Sequence, residues 1–180
     1  MEADFSISHV EGIFQGFVFD VERRHVSLDG IAFDREVVVH PGAVAILALD
    51  KEDNVILVRQ YRAAVEGSIL EIPAGTCDID GESTRETAER ELLEETGFSA
   101  TSFELLGTFL NSPGYSSQRT AIFLARHLRE GSRAPAGVEE QASTVERIPL
   151  ADVLQQIKDG TIVDQTTCLA ALLVATRHDA

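Results

Sequence analysis

The chain has 180 residues, 44% of them apolar and 25% charged, and a net charge of −15 at neutral pH. That length allows one sizeable core, or a core with a small appendage, and the composition is that of an ordinary globular protein. The negative charge argues against nucleic acid or an anionic membrane as a general partner, and apolar runs such as Ala43–Leu49 are far too short to span a bilayer.

The opening Met1-Glu2-Ala3-Asp4 is acidic and no apolar stretch follows, so no secretory signal is expected. Cys77 and Cys168 are too few and too far apart for a disulfide framework. Free thiols in a reducing cytoplasm follow.

Residues 1–40 predict a small antiparallel β region. Gly16–Glu22 and Arg35–His40 are runs rich in aromatic and β-branched residues, and Asp29-Gly30 is a turn signal between Val26–Leu28 and Ile31–Val39. So small a set has little to bury between its own strands, and a second copy of the chain is the natural cover. Pro41-Gly42 marks a boundary, giving 1–40 and 41–180 as the two expected domains. Ala43–Leu49 predicts a buried strand, Lys51–Asn54 a turn and Val55–Arg59 the returning strand. Ile69–Ile72 then leads into the tight loop Pro73-Ala74-Gly75, whose carbonyls suit a metal.

The next stretch carries the chemistry. Ser83 and Glu86 make a capping box, and Gly97 supplies a left-handed stop, so a helix is predicted over 84–96. Ala88 and Leu92 would dock it on a core. Glu86, Arg90 and Glu94 form a strip that pairs internally at four-residue spacing. Glu91 and Glu95 lie one turn apart with no cation expected in register. A divalent cation would resolve that conflict, and Mg²⁺ is the hard ion that takes one or two carboxylates together with substrate phosphates.

Beyond the helix, Thr101–Thr108 and Thr120–Leu128 predict strands around the Pro-Gly loop Asn111–Ser117. Glu130–Gln141 reads as a mobile loop, Thr144–Ile148 as a last strand and Pro149–Asp159 as a helix. Asp164 would cap a final helix whose Leu169, Leu172 and Leu173 face the core. The sum is a mixed α/β (α+β) fold, a sheet with helices packed on it rather than alternating βαβ units. No nucleophile elbow, dinucleotide fingerprint or P-loop is present. His9, His25, His40, His127 and His178 lack zinc spacing.

The run Arg90-Glu91-Leu92-Leu93-Glu94-Glu95-Thr96-Gly97-Phe98, with Gly75 and Glu82 upstream, resembles the Nudix box. Its second half fits throughout. Upstream, six residues separate Gly75 from Glu82 where the usual spacing is five, a longer turn at Asp78–Gly81. Arg35-Glu36-Val37, Gln60-Tyr61-Arg62, Glu71-Ile72-Pro73-Ala74-Gly75 and Ser112-Pro113-Gly114-Tyr115 are similar to the ADP-ribose pyrophosphatase branch. That resemblance implies a Nudix α/β/α sandwich with a mixed sheet. It also implies a homodimer exchanging its N-terminal β region, and hydrolysis of ADP-ribose to AMP and ribose 5-phosphate with Mg²⁺, or Mn²⁺ in its place.

Carried to this sequence, it implies Glu91, Glu95 and the Ala74 carbonyl as metal ligands. Glu82 would contact metal through water or orient the helix, Glu94 would be an additional acid, and Arg90 would hold the glutamates. Arg62 would bind the diphosphate or terminal ribose. Arg35 would lie near the adenosine, and Phe19 is a weaker candidate for stacking on the base. Glu139 or Glu140 would be the acid of the catalytic loop. Gln118 stands where the branch usually has Glu. Another nucleoside-diphosphate-sugar, such as a GDP-hexose, and a non-catalytic ADP-ribose sensor are the alternative readings.

Overall fold

A computed structural model describes residues 4–177. Expectations resting on Met1–Ala3 and on His178 lie outside the described residues. The chain divides into two compact units, one of Met1–Gly42 with Phe109–Thr120 and one of Ala43–Thr108 with Ala121–Ala180.

The first unit holds an antiparallel sheet of β1 (Ser6–Gln15), β2 (Asp20–Leu28) and β3 (Ile31–Val39), in that order. Asp29 at φ 51° and Gly30 at φ 82° make the two-residue turn between β2 and β3, the doubly left-handed geometry that Asp-Gly favours. β1 was not anticipated, because its alternation is interrupted by Gly12 and by polar residues on both faces. The expected strand Gly16–Glu22 is instead a turn followed by the start of β2. Gly16 donates its N–H to Asp20 Oδ1 at 3.1 Å, and a Cβ there would stand 2.3 Å from the Phe19 carbonyl oxygen. Residues 109–120 join the unit at β3: Val38 donates to Tyr115 O at 2.8 Å and Ser117 donates to Val38 O at 2.9 Å.

The second unit contains β4 (Ala43–Leu49), β5 (Asn54–Arg62), β6 (Gly67–Glu71), β7 (Ala74–Thr76) and α1 (Thr84–Thr96). Then follow β8 (Phe98–Leu110) and β9 (Arg119–Glu130), apart from their ends within Phe109–Thr120, and α2 (Val138–Ala142), β10 (Thr144–Pro149), α3 (Leu150–Lys158) and α4 (Gln165–Arg177). The strand order is β10-β5-β4-β9-β8, with β6 on β5 and β7 on β4. Val44, Ile46 and Ala48 pack with Ala88 and Leu92 of α1. Side chains alternate along a strand, so Ala45, Leu47 and Leu49 face the opposite way, and α4 also packs on β4. Helices therefore cover both faces, and the whole run Val44–Leu49 is at most 1% exposed. Each large aliphatic side chain buried here contributes about 1.5–3 kcal/mol.

The final helix turns a different face inward than expected. Thr167, Ala170, Ala171 and Val174 are its buried residues, while Leu172 is 47% exposed. Small side chains at those positions let α4 lie close to the sheet. Its cap is as expected, with Asp164 Oδ2 accepting the Thr167 N–H at 2.7 Å.

Candidate active site

The site is built on α1, whose ends are fixed locally. Ser83 Oγ accepts the Glu86 N–H at 3.3 Å, and Glu86 Oε2 accepts the Ser83 N–H at 2.8 Å. Such a cap is worth about 1 kcal/mol. Gly97, at φ 78°, ends the helix and donates its N–H to Leu93 O at 2.8 Å. With Ala88 and Leu92 fully buried, the helical period sets Glu91 and Glu95 on the flank that meets β7. Glu95 Oε2 accepts the Ala74 N–H at 3.0 Å, which ties helix to strand. Glu91 lies directly over Gly75. A Cβ on Gly75 would stand 2.0 Å from the Glu91 carboxyl carbon, so only glycine leaves that carboxylate its place.

Arg90 organises the glutamates, keeping Glu94 of the expected strip but not Glu86. Its Nε and Nη2 donate to the two oxygens of Glu82 at 3.2 and 3.1 Å, a two-pronged ion pair. Its Nη1 donates to Glu91 Oε1 at 2.7 Å and to Glu94 Oε2 at 3.2 Å. Glu86 takes no part, because its carboxylate is held by the Ser83 cap. Glu91 does have a cation, its sequence neighbour, since the long guanidinium folds back across the helix surface. Glu82 is also anchored by the Thr87 hydroxyl, which donates at 3.0 Å. The Arg90 hydrogen bonds hold the Glu82 carboxyl below the usual carboxylate range.

Glu91 and Glu95 are both shifted the opposite way from Glu82. Burial pushes Glu91 up to about 7, with Arg90 opposing. Burial pushes Glu95 up to about 8, with the Ala74 N–H opposing and the Glu91 and Glu140 charges adding to the rise. Two carboxylates shielded from water and from full compensation form a hard-oxygen donor set that a divalent cation would neutralise. The cradle over Gly75 fits such an ion. Among the described residues no three acidic, histidine or cysteine side chains close into a cage. The arrangement suits an ion that keeps several positions for water and substrate oxygens, as Mg²⁺ does.

The segment expected to be a mobile loop is partly ordered. Gly131 donates to Gly97 O at 2.7 Å and Ala134 donates to Glu94 O at 3.1 Å, so it is laced onto the C-terminal end of α1. The short helix α2 follows. Of its two candidates, Glu139 is exposed, whereas the Glu140 charge is felt at both Glu91 and Glu95. Glu140 Oε2 accepts the N–H groups of Ala136 at 2.8 Å and Gly137 at 3.4 Å.

Arg62, at the end of β5, pairs with Glu71 at 2.7 Å, and its charge also opposes the rise at Glu95. Glu71 was not among the expected site residues. Its side chain is only 8% exposed, and burial raises its carboxyl despite Arg62. A lone acid in the otherwise apolar strand Ile69–Ile72 was the available signal. The structure thus strings Glu82, Arg90, Glu91, Glu94 and Glu95 along one flank of α1, with Ala74 bonded to Glu95 and the Arg62 and Glu140 charges acting on Glu95.

Phe19 and Arg35 belong to the first unit. Arg35 lies 4.5 Å over the Phe33 ring and donates to Asp34 O at 2.7 Å. Phe19 is 42% exposed, beside a groove that Phe17, Val39 and His40 also line. Gln118 turns its amide toward Thr120 Oγ1 at 3.5 Å. Burial raises the thiols of Cys77 and Cys168, which fits passive residues.

The family model described as NUDIX domain matches residues 39–167. An ADP-ribose pyrophosphatase of Mycobacterium tuberculosis is 36% identical over 174 residues, covering 96% of this chain and 84% of its own. An ADP-ribose pyrophosphatase of Bacillus subtilis and a methanol dehydrogenase activator of Bacillus methanolicus are each 38% identical over 161 residues, covering 89% of this chain and 86% of theirs. A crystal structure of an ADP compounds hydrolase superposes with a TM-score of 0.83 at 27% identity, covering 98% of this chain and 95% of that one.

Proposed function

We propose that this chain, which belongs to the Nudix family, hydrolyses the diphosphate of ADP-ribose to AMP and ribose 5-phosphate with a divalent cation, Mg²⁺ or Mn²⁺. The observation that carries the reading is the buried pair Glu91 and Glu95 over Gly75. The ADP-ribose pyrophosphatases among its relatives supply the substrate. Glu91, Glu95 and the Ala74 carbonyl would hold the ion, with Glu82 reaching it through water. When bound, it would neutralise diphosphate charge and make water a stronger nucleophile.

This chain's own residues do the rest. Arg90 fixes Glu82, Glu91 and Glu94 in one array, so the donors need no rearrangement when substrate arrives. Arg62, held by Glu71, offers its remaining donors to the diphosphate or the terminal ribose. Glu140 accepts the proton of the attacking water as the new P–O bond forms and the anhydride P–O bond breaks. The leaving phosphate oxygen departs as product. Glu94 supports the array from the rim. Glu139 is the second choice for the loop acid. Arg35 and Phe19 are proposed as adenosine contacts, with Arg35 supplied from the partner in a homodimer. The exposed apolar residues Ile7, Val10, Ile13 and Phe14 of β1 favour a second copy as the cover of this strand.

No helix among the described residues is long and apolar enough to cross a membrane, and a cytoplasmic enzyme acting on a free nucleotide-sugar, with no nucleic acid partner, is the proposed setting. Product release from ADP-ribose, GDP-mannose, UDP-glucose, NADH and diadenosine polyphosphates, with Mg²⁺ and with EDTA, tests the reading. AMP from ADP-ribose, abolished by EDTA, is expected. Preference for another member moves the substrate, and silence across the panel overturns the reading.

A further inference from the structure

We propose that Arg133 is the positioning residue of the catalytic loop, holding α2 so that Glu140 faces the Glu91–Glu95 pair. The inference rests on Glu140 acting as the loop acid. The geometry is a three-point clamp. Arg133 Nη1 donates to Ser143 O at 3.0 Å. Its Nη2 donates to Glu140 O at 3.1 Å and to Ser143 Oγ at 2.7 Å. Ser143 Oγ in turn donates to Glu140 O at 2.8 Å. The carbonyl of the proposed acid is therefore gripped by two side chains from opposite ends of the loop.

The other end of Arg133 is equally fixed. Gly131 and Ala134, on either side, donate to Gly97 O and Glu94 O at the end of α1. A Cβ on Gly97 would meet the Arg133 backbone nitrogen at 3.1 Å, so the left-handed glycine also gives the loop its seat. The chain of contacts runs from the helix bearing Glu91 and Glu95, through Arg133, to the backbone of Glu140. Helix α2 has only five residues, its Gly137 cap has no side chain, and none of its residues is buried. Such an element cannot hold a carboxylate in place unaided. Arg133 is turned into the loop: its Nε is buried, without a hydrogen-bond partner among the described residues, and both terminal nitrogens donate to Glu140 or Ser143. It acts through Glu140.

Two measurements test this, and only the second needs turnover. The first is hydrogen exchange followed by mass spectrometry on wild type, Arg133→Ala and Ser143→Ala. Exchange is expected to rise across 136–143 in both variants and to stay unchanged in the peptide covering 84–96. Unchanged exchange in 136–143 overturns the clamp, whatever the enzyme's substrate proves to be. The second is a double-mutant cycle on ADP-ribose hydrolysis. Arg133→Ala is expected to lower kcat by about 10- to 100-fold with little change in KM, the size of a small misplacement of a reacting group. Millimolar guanidinium is expected to restore part of the loss. In an Glu140→Gln background, Arg133→Ala should cost almost nothing more. Full additivity in the cycle, or a loss confined to KM, overturns the positioning role. An active Glu140→Gln enzyme also overturns it, because there is then no acid to position. If wild type itself releases no product, the proposed function fails while the clamp stands or falls on exchange. Ser143→Ala, which removes one acceptor and leaves the guanidinium in place, guards against an Arg133 variant that does not fold and should shift both readouts less.

Discussion

Strand β1 carries apolar side chains at four of its ten positions and β4 at all seven, and the two meet opposite fates. β4 has helices over both faces, and Val44–Leu49 are at most 1% exposed. Every residue of β1 is exposed, including Ile7 at 55% and Phe14 at 56%. A continuous apolar run therefore marked a strand whose neighbours come from its own chain. An interrupted run with exposed apolar residues marks one that the described residues leave uncovered. The difference separates a unit that buries two carboxylates against its own core from a sheet whose outer strand stays open.

The sharpest way to break that contrast is at the charge pair. Glu95→Gln keeps the acceptor for the Ala74 N–H and removes the charge, so the fold should survive while kcat falls about 10³-fold, the loss of several kcal/mol of charge stabilisation. Steady-state kinetics with a circular dichroism spectrum checks both halves, and near-normal turnover would sink the metal assignment. Next comes Gly75→Ala. The added methyl must displace the Glu91 carboxylate, and about 100-fold lower activity with about 1–3 kcal/mol lost from a urea melt is expected.

In the first unit, Val10→Asp with Phe14→Asp should weaken self-association at least about tenfold per substitution. Analytical ultracentrifugation reads this directly, and an unchanged mass would remove β1 from the interface.

A subtler test uses pH. Glu91 and Glu95 hold protons more tightly folded than unfolded, so metal-free stability from this pair is greatest at low pH and is lost as pH rises through about 7 and 8. Glu82, Glu86 and Asp50 are shifted downward, so their contributions vanish only in acid, below the ordinary carboxylate range. His40 is also shifted downward and opposes the trend only weakly around its ordinary value. In EDTA the melting temperature should decline between pH 5.5 and 8.5, and saturating Mg²⁺ should flatten that decline. A flat profile in EDTA contradicts the charge-pair account. The smallest expected change is Ser83→Ala, about 1 kcal/mol of stability with activity nearly intact, read from a thermal melt.

What could be read from residues alone follows the reach of each interaction. The bounds of α1 were legible because Ser83, Glu86 and Gly97 act within one turn of themselves. β4 was legible because burial on both faces leaves an unbroken apolar run. Of the partners expected for Arg90, Glu94 is one and Glu86 is not, and spacing on a helical wheel ignores a side chain long enough to reach Glu82. The order within 130–141 was invisible, because its hydrogen bonds go to Gly97 and Glu94, over thirty residues back in the chain. Glu71 escaped notice because its meaning depends on Arg62 arriving beside it. The inward face of α4 was misjudged for a similar reason: close packing on a sheet selects small side chains over leucines.

The turn at Asp78–Gly81 meets this web through its backbone, where Ile79 O accepts the Glu82 N–H at 3.1 Å. Gly81 sits at φ 83° with open space where a side chain would be, and Ile79 is half exposed. Upstream, Glu95 anchors Ala74; downstream, Ser83 starts the helix afresh. The extra residue noted between Gly75 and Glu82 therefore lies between two locally fixed anchors. Lengthening a flexible loop is thermodynamically cheap, about 0.6 kcal/mol per doubling. This makes the turn a natural splice point, where a fluorophore tag or a short recognition peptide can be inserted to report on the neighbouring helix without rewriting it.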